Sequence, residues 1–145
     1  MHITVKQKLL VALRVAVSFV FLVLGLVKIV LIYNYGLDPY VAVAEATGLP
    51  SIIKYYGFVA IGVEFYLSIG LWSNRHYRTS ILLAGMMCLL GVIVSVVLIG
   101  FRLSSECGCG LLGDNEVGIL VQKLVLLAGL FVLYKKKDLL FVSKV

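Results

Sequence analysis

Apolar residues are gathered into four long blocks along the chain, with polar residues, glycine and proline between them. The first block runs from about Leu9 to Tyr33 and is interrupted by Arg14 and Lys28. The second, from about Tyr55 to Trp72, holds one acid, Glu64, and the third, from about Thr79 to Phe101, carries no charge. The fourth, Val117 to Tyr134, contains Gln122 and Lys123 and ends against Lys135, Lys136 and Lys137. A membrane-crossing helix takes roughly 20 apolar residues, so each block reads as one span. The pattern predicts an all-α integral membrane four-helix bundle, a single domain over residues 1–145 with spans at about 9–33, 55–72, 79–101 and 117–134.

Composition narrows the class further. The 145 residues are 62% hydrophobic and 14% charged, with a mean hydropathy of +1.11. Soluble domains are about 45–50% apolar and about 25% charged, and disorder requires the reverse imbalance. The apolar surplus needs lipid to cover it, and four spans leave no room for a separate soluble domain. Lys6 and Lys8 ahead of the first block resemble the start of a signal peptide, with Ala42-Val43-Ala44 resembling a cleavage site. A signal's apolar core is about 7–15 residues long and abuts its cleavage site. This block is longer and ends well short of Ala42, so it is expected to stay as an anchor.

The net charge of +6 would suggest nucleic acid in a soluble chain. In a membrane protein, lysine and arginine collect on cytoplasmic flanks without any polyanionic partner, so no nucleic-acid partner is expected. Lys6, Lys8, Arg14, Arg75, Arg78, Lys135, Lys136, Lys137 and Lys144 fall on one side of the predicted spans, against only Lys54 and Arg102 on the other. That asymmetry predicts cytoplasmic termini and an outward-facing 102–116 loop. Tyr33, Tyr35, Tyr40, Tyr55 and Tyr56 would mark the outer interface, and Trp72, Tyr77 and Tyr134 the inner one. A short interfacial helix is expected around Val41–Ala46.

The outward loop reads Ser104-Ser105-Glu106-Cys107-Gly108-Cys109-Gly110. Two thiols one residue apart in an oxidising compartment favour a disulfide, with Gly108 permitting the sharp turn such a ring needs. Strained, exposed bridges are the more oxidising and labile ones, which suits exchange with a partner; inert loop closure and a soft-metal site are the alternatives. His2 and His76 fall on the opposite side, so a metal would need ligands from elsewhere and none is assigned. Glu106 would raise a neighbouring thiol's pKa and Arg102 would lower it. Cys88, midway along the third span, reads as a small packed apolar residue.

Ionisable residues inside a bilayer are costly and usually paired or functional. Glu64 lies near the middle of its span, and Lys28 and Lys123 lie within roughly 10 Å of the outer surface. Either lysine could reach Glu64, the alternative for each being to extend to the headgroups, as is expected of Arg14. The three form a candidate polar cluster beneath the dithiol loop, either a structural ion cluster or a site near a bound quinone. Glycines in all four spans would let helices approach closely.

The pattern Arg14, Phe19, Phe21-Leu22, Gly25 and Lys28 in span one, Glu64 and Gly70 in span two, and Cys107-Gly108-Cys109 before span four resembles the MauE/DoxX group of small four-helix membrane proteins, and within it the redox-associated methylamine-utilisation MauE branch. The resemblance covers nearly the whole chain. It implies a bundle similar to membrane thiol oxidoreductases of the vitamin K epoxide reductase and DsbB type, which pass electrons between a quinone and extracytoplasmic thioredoxin-like proteins. It further implies a thioredoxin-like periplasmic partner or a disulfide-containing client, with Cys107 and Cys109 matching the redox pair and Lys28 and Glu64 the membrane-embedded polar positions. The family commonly continues Cys-Gly-Cys-Phe-Gly, whereas Gly110 and Leu111 follow here, and Lys123 is followed by Leu124 where the family often has Asp or Asn. The expected function is extracytoplasmic thiol–disulfide exchange by Cys107 and Cys109, with a quinone as possible acceptor. The alternative is a non-enzymatic assembly or maturation factor for a periplasmic protein.

Overall fold

The computed structural model describes residues 5–38, 40–41, 45, 48, 50, 55–73, 75–101 and 116–137. Four helices carry it: α1 (Val5–Tyr35), α2 (Tyr56–Trp72), α3 (Tyr77–Phe101) and α4 (Glu116–Lys135). Each predicted span lies on one of them. α1 begins earlier than its apolar block because the helix continues through Lys6 and Lys8, which hydropathy alone leaves out. It ends where Gly36 takes up a left-handed φ of 64° and donates its N–H to the Ile32 carbonyl at 2.9 Å. Glycine adopts that conformation without the clash a Cβ would bring.

Among the described residues, α1, α3 and α4 are long and apolar enough to cross a membrane. α2, with 17 residues, rises about 25 Å and sits at the lower end of the range for a span. Large apolar side chains point away from the bundle all round, Phe19, Phe58, Ile69, Val125 and Phe131 among them. Water would leave that surface unpaired with anything, and a lipid bilayer covers it.

α1 packs along α2 and α3 along α4, and the two pairs meet chiefly through α2 and α3. Lipid removes most of the hydrophobic drive between helices, so close packing and polar ties hold them together. Leu24, Leu67, Leu71 and Leu133 are fully enclosed. Gly70 lets Ser80 of α3 press against the α2 backbone, where a Cβ would overlap the hydroxyl. Ser18 of α1 donates to the Ser68 carbonyl of α2 at 2.7 Å.

At one end of the bundle Arg14 crosses from α1 to donate to the Leu71 and Trp72 carbonyls that close α2, the second at 2.6 Å. Its guanidinium also lies 4.8 Å from the centre of the Tyr77 ring, and the Tyr77 hydroxyl donates to the Leu133 carbonyl of α4 at 3.3 Å. The expectation that Arg14 simply extends to the headgroups is therefore revised: a helix C-terminus offers unpaired carbonyls, and Arg14 takes two of them. Tyr77 is likewise enclosed rather than an interfacial anchor. At the other end Tyr33, Tyr35, Tyr55 and Tyr56 are exposed, as interfacial residues are, but Tyr40 is buried against Gly57 of α2. Asp38, Tyr40, Val41 and Glu45 are helical, within or beside the short connecting helix the sequence suggests.

Candidate functional site

Between the two helix pairs, at the end away from Arg14, lies a cavity of about 60 Å³. Each pair brings one polar unit to it. From α1 and α2 comes an ion pair, with Lys28 Nζ 2.6 Å from Glu64 Oε1 and both side chains only 4% exposed. From α3 and α4 comes Lys123, itself buried, whose aliphatic stem lies across Gly91. Cys88 and Ser95 of α3 complete the polar lining, and Phe21, Ala60, Met87 and Ile119 supply apolar wall.

The helices place these groups by depth. Lys28 is seven residues before the end of α1 and Lys123 seven residues after the start of α4, each about 10 Å in at 1.5 Å per residue. Lys28 forgoes the headgroups because a carboxylate at the same depth lies within its reach. Opposite charges in a low-dielectric interior attract strongly, and pairing offsets the cost of taking each out of water. Glu64 Oε2 is also buried and has no hydrogen-bond partner among the described residues. The Ser95 hydroxyl is occupied, donating to the Gly91 carbonyl at 2.8 Å.

Thus Lys28, Glu64 and Lys123 line a single cavity. Cys107 and Cys109 lie outside the described residues, in the 102–115 segment that joins α3 to α4. Two cavity residues escaped sequence reading. Cys88 is enclosed, as expected of a packed residue, yet its side chain also borders the polar cavity. Gly91, one turn further along α3, is the seat for the Lys123 stem. The one available signal was that Cys88, Gly91 and Ser95 recur at helical spacing on a single face of α3. Among the described residues no group of three or more His, Cys, Asp or Glu is arranged to hold a metal ion.

The model of the family described as methylamine utilisation protein MauE matches residues 6–135, from the second residue of α1 to the last of α4. The chain belongs to the MauE family. The match takes in every cavity residue and the Cys107-Gly108-Cys109 segment. No curated protein and no solved structure matches the chain.

A quinone bound here would meet hydrogen-bond donors in Lys28 and Lys123, both of which line the cavity.

Proposed function

We propose that this MauE-family membrane protein acts in extracytoplasmic thiol–disulfide exchange, serving the maturation of a disulfide-containing periplasmic client or a thioredoxin-like partner. The observation that carries the reading is the Cys107-Gly108-Cys109 pair in the short connection between α3 and α4. The distribution of lysine and arginine supports an extracytoplasmic connection at the inner membrane, with both termini in the cytoplasm.

In the exchange, a thiolate of the pair attacks a sulfur of the partner's disulfide. One S–S bond forms as the other breaks, and the partner's second sulfur leaves as a thiolate. The remaining cysteine, as thiolate, then attacks the mixed disulfide, closing the Cys107–Cys109 bridge and releasing the partner with two thiols. Two electrons pass from the pair to the partner, and the same steps run in reverse oxidise a client. α3 and α4 flank the pair in the sequence, and the Tyr77–Leu133 bond ties those two helices together at the Arg14 end of the bundle.

The in-cell redox state of Cys107 and Cys109 tests this, trapped with acid and read with a mass-shifting thiol reagent. A Cys109→Ser or Cys107→Ser variant that accumulates a mixed disulfide with a periplasmic protein supports exchange. If the pair is reduced when respiratory quinone is withdrawn, a quinone is the terminal acceptor. A double serine variant that still matures the client fully would overturn the exchange reading and leave a non-enzymatic assembly factor.

A further inference from the structure

A groove lies on the outside of the bundle, between α1 and α2 toward the Arg14 end. Val15, Phe19 and Leu22 of α1 and Ile69 and Trp72 of α2 form its walls, and Phe19, Ile69 and Trp72 are well exposed. Ser18 and Ser68 sit buried at its base, where the Ser18 hydroxyl donates to the Ser68 carbonyl at 2.7 Å. The base has thus met its own polar needs, and the walls that face outward are mainly hydrocarbon. From Val15 to Leu22 the groove runs about 10 Å along the helix, which suits an acyl chain laid between α1 and α2.

Charge decides which lipid supplies that chain. The groove ends at Trp72 and Ser73, the last residue and the C-cap of α2, and Arg75 follows two residues later. On α1, Lys8, Val15 and Leu22 recur every seven positions and so share a face, which carries the line of the groove onto Lys8, about 10 Å beyond Val15. Lys8 and Arg75 are exposed, and Arg14 is held against the Trp72 carbonyl at 2.6 Å. Among the described residues this end of the bundle also carries Lys6, Arg78 and the lysine run 135–137, and no aspartate or glutamate. Lysine and arginine at a membrane surface attract anionic headgroups, and tryptophan settles at headgroup level. We propose that the α1–α2 groove binds one anionic phospholipid, its acyl chain along Phe19, Leu22 and Ile69 and its phosphate beside Trp72, between Lys8 and Arg75.

Trp72 is the chain's one tryptophan, so its fluorescence reads the groove directly. The full chain in mixed micelles is titrated with phosphatidylglycerol or phosphatidylethanolamine brominated on an acyl chain, since bromine quenches an indole that it touches. Half-maximal quenching is expected at about tenfold lower mole fraction of phosphatidylglycerol. The difference should be lost in Lys8→Gln with Arg75→Gln and kept in a variant with Lys135→Gln, Lys136→Gln and Lys137→Gln. Equal quenching by the two lipids in the unaltered protein would overturn the proposal. So would a preference that survives loss of Lys8 and Arg75, or one that vanishes with the α4 lysines, because charge spread over the whole end of the bundle would then explain it without a site. Cys107→Ser with Cys109→Ser should leave the quenching unchanged, so failure of the exchange reading and failure of the lipid site are separately visible.

Discussion

The side chain of Lys123 runs directly over Gly91, its Cε, Cδ and Cγ 3.1, 3.2 and 3.4 Å from where a Cβ on that residue would stand. A lysine in the bilayer half nearest the dithiol segment is thus steered inward by a missing side chain on the neighbouring helix. Substitution at Gly91 sets two effects against each other. Alanine removes the helix penalty of glycine, about 1 kcal/mol, while its methyl pushes on a flexible stem that can give by a few tenths of an ångström. Gly91→Ala is expected to be close to neutral in thermal melting. Gly91→Val brings two further carbons against the stem and should destabilise by about 1–3 kcal/mol, with Lys123 becoming reactive toward an amine-modifying reagent.

The Lys28–Glu64 pair is expected to behave as a unit. Removing one partner strands the other charge away from water, so Lys28→Met or Glu64→Gln alone should destabilise the fold, Lys28→Met by about 3–5 kcal/mol. Glu64→Gln should cost less, because glutamine keeps an acceptor oxygen in place of the Glu64 Oε1 that Lys28 meets at 2.6 Å. The double variant should lose clearly less than the two single losses added together. A double-mutant cycle on reversible unfolding in detergent measures this coupling; strict additivity would show that the two groups do not sense each other.

Arg14 ties α1 to the end of α2 and to Tyr77. A hydrogen bond with a charged donor contributes about 1.5–3 kcal/mol, and Arg14→Ala should lose roughly that amount in melting, with α2 fraying at Leu71 and Trp72 in amide exchange. Arg14→Lys keeps the charge but cannot present two donors in a planar fork, so it should recover only part. Tyr77→Phe removes one long bond, to Leu133 at 3.3 Å, and should cost no more than about 0.5 kcal/mol.

How far the sequence reached depended on whether lipid or a neighbouring helix decides a residue's environment. The four helices were legible because lipid imposes a long, mainly apolar run on a membrane helix. Depth was legible too: a rise of 1.5 Å per residue put Lys28 and Lys123 at the level of Glu64. The rotation of each helix was not legible, and rotation is what pairs Lys28 with Glu64 while sending Lys123 over Gly91. The same gap explains Tyr40 and Tyr77, whose positions at span ends suggested anchoring. Their neighbours decided otherwise, since Gly57 leaves room for the ring of Tyr40, and Arg14 and Leu133 provide partners for Tyr77. Cys107 and Cys109 were conspicuous by spacing and charge context alone, and they lie outside the described residues.

Tyr40 offers a test by pH. It lies in the connection between α1 and α2, buried against Gly57, and its hydroxyl has no hydrogen-bond partner among the described residues. Burial pushes its pKa up from 10.0 to about 12, with the negative charge of Glu64 and the proximity of Tyr56 adding to the rise. The folded protein therefore holds the phenolic proton more tightly than the unfolded chain does. This contribution to stability is fully present below pH 10 and is lost as pH rises through about 12. Unfolding in detergent followed from pH 9 upward should show a loss of stability over that window that is smaller in Tyr40→Phe. At pH 7, where both residues are neutral, Tyr40→Phe should be neutral or slightly stabilising, because it removes a buried hydroxyl that lacks a partner. An unchanged alkaline profile in Tyr40→Phe would show that the ring at position 40 is wetted and that the α1–α2 connection does not seal this end of the bundle.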